Sequence, residues 1–430
     1  NNDEVVIGRG NERSVRRTTE DGAKRLEIRI ADPWMSSAHA RLVKVFGRWV
    51  LEDTHSKNGT LLNGEVCQRE HLLDRALIEL GHTFFFYRDA IPTTPDEPAD
   101  IDADELSASG HALVTFLPPL AHSFAELTQI SASPVSVVVR GESGTGKEVV
   151  ARALHALSGR KGSFVAVNCG ALPETLVESE LFGYEKGAFT GAAEDRAGLV
   201  RSADGGTLFL DEIADLPPPS QAAFLRVLQE REVTPVGSAK PVSVDIRLVA
   251  ATHRDLPAMV SSGEFRQDLY ARITGFSVAL PPLRKRREDL GLLIDALLRR
   301  LHSERASDIT FTCDAVRALF RYDWPLNVRE LEKCLAASVV LAGDGPVDVE
   351  HLPTQVRTGT NKSLSQTHDQ PSGARAKPLS PQDEERRDEL LRLLKETRGN
   401  ISEVARRMGK ARMQIQRWLK RFDLDPDACR

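Results

Sequence analysis

The sequence predicts a multidomain protein: an all-β sandwich, then an α/β domain with a helical lid, then an all-α helix-turn-helix. Three observations predict it. Two stretches with little to bury, 92–105 (PTTPDEPADIDADE) and 356–381 (VRTGTNKSLSQTHDQPSGARAKPLSP), read as mobile linkers that divide the chain into three blocks. The first block carries short alternating runs separated by turn dipeptides. The middle block alternates apolar strands with helical patterns, whereas the last is helical throughout. A chain of 430 residues has room for about three domains of ordinary size.

Composition narrows the class. The hydrophobic share is 41% and the charged share 28%, as in folded globular proteins. A net charge of −5 excludes a uniformly basic nucleic-acid coat but allows one basic module. No run approaches the roughly 18 apolar residues of a membrane span. The opening NNDEVVIGRG has no signal-peptide pattern, and its lack of an initiator Met predicts that residues precede it. Cys67, Cys169, Cys313, Cys334 and Cys429 are far apart, with no CxxC pair or Cys/His cluster. That spacing argues against zinc and a disulfide framework and suits a reducing cytoplasm.

In the first block, residues 1–91, RLVKVFGRWVLED and LIELGHTFFFYRD alternate as strands do. Asn58-Gly59 and Asn63-Gly64 are hairpin dipeptides. The middle block divides into an α/β part, 106–280, and a helical lid, 281–355. Its run VSVVVRGESGTGKEVVARALHAL reads as a strand from Val135 to Val139, a turn, then a helix. The turn is Gly141, Glu142, Ser143, Gly144, Thr145, Gly146 and Lys147. Such a turn wraps phosphates with backbone N–H groups at a helix N-terminus, and the lysine reaches the terminal phosphates of ATP. Glu148 stands where a hydroxyl usually meets Mg²⁺, and a carboxylate is still a hard oxygen ligand. GGTLFLDEI is an apolar strand ending in two acids. Asp211 would hold Mg²⁺ through water, and Glu212 would orient or deprotonate the attacking water.

Other signals are weaker alone. Arg266 and Arg272, in EFRQDLYARITGF, are either fingers for a neighbouring subunit's nucleotide or ordinary solvated arginines. Arg329 opens a helix after an extended Trp324-Pro325 turn, within reach of a γ-phosphate. The stretch GAFTGA, 187–192, puts Phe189 and Thr190 among glycines and alanines. That phenylalanine is either core filler or a tip meant to touch something else.

The last block, 382–430, contains ERRDELLRLLKETRGNISEVARRMGKARMQIQRWLKRFDL, read as three helices. Gly399 closes the first, and Asn400 with Glu403 caps the second. Ile401, Val404, Ala405 and Met408 face inward, as do Ile415, Trp418, Leu419 and Phe422. Arg412, Met413, Gln416, Arg417 and Lys420 then form the outer face of the third helix, a basic surface suited to a DNA major groove. The alternative is a basic bundle packed on protein.

Taken in order, GESGTGKE, ELFGYEKGAFTGA, GGTLFLDEI, FRQDLYARI, LPPLRKRREDL and WPLNVRELE resemble the AAA+ domain of bacterial enhancer-binding proteins, the activators of sigma-54 RNA polymerase. The resemblance covers about 135–345 and implies a homo-oligomeric ring, usually a hexamer, with ATP between subunits. It implies that GAFTGA is the tip of a moving loop, with Phe189 and Thr190 contacting the sigma factor and promoter DNA. It also implies that Asn168 pairs with Glu212 and couples nucleotide state to the loop. His253 stands where the family has a nucleotide-sensing asparagine, and Leu326 replaces a usual glycine. Residues 106–134 match the family's base-pocket segment poorly. The last block resembles the Fis-type DNA-binding domain, which implies paired binding to upstream DNA.

The first block resembles the forkhead-associated (FHA) domain through IGR, SSAHARL and LEDTHSKNGTLLNG. The resemblance implies an eleven-stranded sandwich, its first strand lost before Asn1. It implies a phosphothreonine site in which Arg9 and Ser36 hold the phosphate and Ser37, Lys57 and Asn58 hold phosphate or peptide backbone. The partner would be a phosphothreonine protein or its Ser/Thr kinase. His39 reads as a buried strut rather than a ligand. The whole is therefore read as an ATP-driven activator with phosphothreonine input. Two alternatives are a phospho-responsive DNA-binding regulator or scaffold with a degenerate ATPase, and a remodeller of another substrate.

Overall fold

Ten strands build the N-terminal sandwich: β1 (Glu4–Arg9), β2 (Ser14–Glu20), β3 (Ala23–Ile30), β4 (Ala40–Val45), β5 (Arg48–Asp53), β6 (Thr60–Leu62), β7 (Glu65–Cys67), β8 (Arg69–His71), β9 (Leu77–Leu80) and β10 (Thr83–Phe86). One sheet runs β2-β3-β1-β4-β5-β8 and the other β10-β9-β6-β7. Alternation sets the faces: on β4, Ala40 and Leu42 are buried while Arg41 is exposed. Ile7, Leu42, Leu51, Ile78 and Leu80 meet between the sheets. The structure, a computed structural model, describes residues 3–20, 22–93, 98–103, 106, 113–189, 192–359, 392–393, 397 and 401–408. In the first linker, Asp100 Oδ1 accepts from Arg17 Nη2 of β2 at 2.6 Å.

The α/β domain begins with α1 (Pro118–Ile130) and holds a five-stranded sheet of β11 (Val137–Arg140), β12 (Phe164–Asn168), β15 (Thr207–Asp211), β18 (Arg247–Thr252) and β19 (Phe276–Ala279). Its order is β12-β15-β18-β11-β19, all parallel. Val137, Val138, Val139 and Leu208, Phe209, Leu210 are buried on both faces, which is why these strands read as continuous apolar runs. The further helices of six or more residues are α2 (Lys147–Leu157), α3 (Val177–Phe182), α4 (Pro218–Glu230), α5 (Leu256–Ser262) and α6 (Gln267–Ile273). Two small hairpins project from this domain: β13 (Gly183–Tyr184) with β14 (Arg196–Ala197), and β16 (Glu232–Val233) with β17 (Val242–Ser243).

The lid is α7 (Leu290–Leu301), α8 (Cys313–Arg321) and α9 (Asn327–Ala342), closed around Leu319, Trp324, Leu331 and Leu335. Trp324 precedes a proline, so an extended backbone is expected there. Instead its φ is +54°. Its indole is fully buried and donates to the Leu319 carbonyl at 3.0 Å, so tertiary burial overrides the local preference. The lid also touches the sandwich. Arg317 on α8 forms a fork with Glu79 on β9, Nη2–Oε2 2.7 Å and Nε–Oε1 2.8 Å. Phe320 lies against Phe84 and Phe86, with ring centroids 6.4 and 6.2 Å away.

These elements belong to a compact unit spanning Asn1–Leu364; a second unit spans Ser365–Arg430. In the second, α10 (Ile401–Arg407) begins where the capping pattern predicts, and Val404 is buried. Arg412, Met413, Gln416, Arg417 and Lys420 lie outside the described residues.

Candidate active site

Three parallel strands deliver the site to one edge of the sheet. β11 ends in the glycine-rich turn, β15 in Asp211 and Glu212, and β18 in Thr252 and His253. Ligands bind beyond the carboxyl ends of such strands. The turn between β11 and α2 has Gly144 at φ +76° and Gly146 at φ +102°. Gly144 is required twice over: a Cβ there would also lie 2.3 Å from the Leu326 carbonyl oxygen of the lid.

Lys147 is buried at the start of α2. Its Nζ donates to the carbonyls of Gly141 at 3.0 Å and Glu142 at 3.3 Å, and lies 3.5 Å from Glu212 Oε1. Burial pushes the Asp211 carboxyl above its ordinary range; Lys147 opposes this shift, and Glu212 and Glu148 add to it. Asp211 and Glu148 thus share a field that a divalent cation would relieve. Mg²⁺ is commonly held by one or two carboxylates plus phosphate oxygens and water, so these residues fit it. Glu148 also pairs with Arg152 one turn on, at 2.6 Å.

Glu212 has a left-handed backbone, φ +50° and ψ +50°. Its carboxylate is tied to His253, with Nδ1–Oε2 2.8 Å. The resemblance pairs Glu212 with Asn168, but here Asn168 Oδ1 accepts from Gly170 N at 3.0 Å and Ala171 N at 3.2 Å and caps its own turn. His253, expected to face nucleotide, is the side chain that hydrogen-bonds Glu212.

Other expected nucleotide residues face the lid. Glu142 binds Arg284 through a fork of 2.5 and 2.8 Å, and this arginine holds its carboxyl below the usual range. Asn327 Nδ2 donates to Ser143 O at 2.9 Å, and Arg286 Nη2 to Thr145 O at 3.0 Å. Arg329 is exposed, with Nη1 3.4 Å from Ser143 Oγ. Arg284, Arg286 and Asn327 were not singled out from sequence. Their motifs, LPPLRKRREDL and WPLNVRELE, were visible, but their targets lie more than a hundred residues upstream.

Arg266 and Arg272 are both exposed. Arg266 pairs with Asp268 at 2.7 Å, and Arg272 donates to the Leu228 carbonyl at 2.9 Å. Phe189 is a tip rather than core: it is 40% exposed, beyond β13–β14, its ring edge-on to Tyr184 at 4.9 Å. Thr190 lies outside the described residues.

In the sandwich, the loops around Arg9 are tightly tied. A Cβ on Gly8 would lie 2.1 Å from Ser37 O, so glycine lets the 36–38 segment close on β1. Arg9 N donates to Ser36 O at 2.9 Å, and Lys57 N to Ser36 Oγ at 3.0 Å. Asn58 Nδ2 donates to Trp34 O at 2.7 Å. His39, fully buried, accepts from Ser36 N at 3.0 Å and donates to Gly59 O at 3.0 Å. It is the strut that binds two of these loops. Arg9 itself is exposed.

Known families match four stretches: the Sigma-54 interaction domain at 114–279, the AAA+ ATPase lid domain at 284–369, the FHA domain at 5–81 and a Homeodomain-like domain at 381–427. Transcriptional regulatory protein ZraR of Escherichia coli (strain K12) is 43% identical over 75% of this chain and 71% of its own. Regulatory protein AtoC of the same organism is 42% identical over 74% of this chain and 68% of its own. The crystal structure of NtrX from Brucella abortus in complex with ADP is similar at a TM-score of 0.53 and 30% identity, over 74% of this chain and 71% of NtrX. The complex of NtrX with ATP is similar at 0.51 and 30%, over 74% of this chain and 72% of NtrX. The chain therefore belongs to the family of sigma-54-dependent transcriptional regulators, as an ATPase that carries an FHA domain ahead of its sigma-54 interaction domain.

Proposed function

We propose that this protein uses ATP hydrolysis to remodel sigma-54 RNA polymerase at promoters while its C-terminal helices hold it on upstream DNA. The observation that carries the proposal is the pairing, in one α/β domain, of a Lys147–Glu212–His253 array with an exposed Phe189 at the GAFTGA tip.

The glycine-rich turn and Lys147 bind the phosphates. Asp211 and Glu148 would hold Mg²⁺, which would neutralise phosphate charge. Glu212 takes a proton from water as the water oxygen bonds to the γ-phosphorus; the bond to the bridging oxygen breaks and ADP leaves with its electron pair. Arg266 or Arg272, both on the surface, serves a neighbouring copy's nucleotide in a ring. Arg329 reports γ-phosphate to the lid. Phosphothreonine on a partner protein, or on its kinase, binds at Arg9, Ser36, Ser37, Lys57 and Asn58, where an arginine gives a charge-assisted contact to a near-dianion. Arg412, Met413, Gln416, Arg417 and Lys420 read DNA. The working compartment is the cytoplasm; among the described residues no helix is long and apolar enough to cross a membrane.

The test is uncoupling. Thr190→Ala is expected to hydrolyse ATP at the wild-type rate and to lose transcription activation from a sigma-54 promoter. Equal loss of both activities would make Thr190 structural and remove the tip from the mechanism.

A further inference from the structure

A crevice joins the phosphothreonine loops to the lid. It encloses about 270 Å³ between Trp34, Asn58, Gly59, Gly81 and His82 of the sandwich and Cys313 at the start of α8. A second hollow of about 410 Å³ shares His82 and Cys313 and continues along Phe84, Phe311 and Asp314. We propose that a phosphothreonine peptide held at Arg9 and Ser36 runs on into this crevice, so that a flanking side chain is read jointly by the sandwich and the ATPase lid. This rests on reading the sandwich as a phosphothreonine binder.

Continuity places the occupant. Lys57 and Asn58 are adjacent: the first closes on Ser36, and the second forms the rim of the crevice through its bond to Trp34. A peptide leaving the phosphate site on this side meets the crevice within a few residues. The chemistry of the walls selects the side chain. Trp34 is 54% exposed and stacks on His82 at 4.9 Å, and Phe84 and Phe311 lie beyond. An apolar or aromatic residue fits such a surface. The lid wall is held in place by the buried Glu79–Arg317 fork and by Phe320 between Phe84 and Phe86.

The lid that forms this wall also touches the nucleotide turn. Leu319 of α8 shares the lid core with Leu331 and Leu335 of α9, its carbonyl accepts from the Trp324 indole just ahead of α9, and Asn327 at the head of α9 bonds Ser143. A peptide and a nucleotide that both bias the lid must change each other's affinity by the same factor.

The experiment uses the full chain and a degenerate phosphothreonine peptide pool, followed by the single peptide the pool enriches. That peptide is expected to carry an apolar or aromatic residue near the phosphothreonine. Its binding should vanish in Arg9→Ala and weaken about tenfold in Cys313→Trp, which fills the crevice; tenfold corresponds to about 1.4 kcal/mol. Independently of any variant, the bound peptide should protect Cys313 of the wild-type chain from alkylation, read by mass spectrometry, while its unphosphorylated form should not. Arg9-dependent binding with no protection of Cys313 and no loss in Cys313→Trp would overturn the joint site and leave the phosphothreonine reading standing. Failure of the wild-type chain to bind any phosphothreonine peptide would overturn both.

Discussion

In the proposed hydrolysis turnover depends on Glu212, whose carboxylate is held by His253. A carboxylate with one oxygen bonded to imidazole at 2.8 Å and the other 3.5 Å from Lys147 has little freedom to rotate. We therefore expect Glu212→Gln to lower ATP turnover on the order of 10²–10⁴-fold, the usual scale for a general base, with nucleotide binding retained. His253→Ala should lower kcat by less, leave KM for ATP nearly unchanged, and add nothing further in the Glu212→Gln background. A raised KM would mean that His253 instead contacts nucleotide directly. Steady-state kinetics of the single and double variants decide between these. The family resemblance placed His253 at the nucleotide-sensing position, and the structure has it directly after β18. The sequence did not reveal the partner. Imidazole and amide differ in length and donor geometry, and whether the donor for Glu212 comes from Asn168 or His253 depends on side-chain torsions that spacing does not encode. Glu142 is similar: its place in the turn was legible, but its fork to Arg284 was not.

At the scale of elements, local signals served well where one short segment makes one structure. The Asn63-Gly64 hairpin between β6 and β7, the strand–turn–helix of the nucleotide motif and the paired acids of β15 appear where their patterns put them, whereas Asn58-Gly59 closes no hairpin: it lies in the connection from β5 to β6, which belong to different sheets. Such signals served less well where two distant elements meet. Gly144 is needed because the lid backbone approaches it, a reason invisible in the turn itself. The sandwich offers a pH test of such contacts. Burial alone would raise Asp53, but hydrogen bonds from Ser56 and Thr60 hold it below its ordinary 3.8; Asp32 is likewise lowered against burial by Trp34, His82 and Thr83. A depressed folded pKa stabilises above the unfolded value and is lost as pH falls through the folded one. The sandwich strands should therefore keep full protection from hydrogen exchange near neutral pH and lose it below about pH 4, after correction for intrinsic rates. Asp53→Asn should reduce protection near neutral pH and flatten this acid dependence. A wild-type profile that stays flat through pH 3 would show that these carboxylates do not hold the loops.

At the scale of the molecule, the chain carries an FHA domain, a sigma-54 interaction domain with its AAA+ lid, and a Homeodomain-like domain, in that order. The order of the modules was legible in the sequence, because each carries its own pattern and the linkers between them carry none. Their junctions were not. The Glu79–Arg317 fork and the Phe84–Phe320–Phe86 stack join residues more than two hundred positions apart, and nothing in either segment alone announces the other. We propose that hydrolysis in the α/β domain drives work on polymerase. The most direct test is open-complex formation by sigma-54 RNA polymerase on a promoter bearing this protein's upstream site, with full-length protein and the enriched phosphothreonine peptide. Promoter melting is expected with ATP and not with a non-hydrolysable analogue. Equal melting with both nucleotides, or none with ATP while ATP is being hydrolysed, would contradict the proposal.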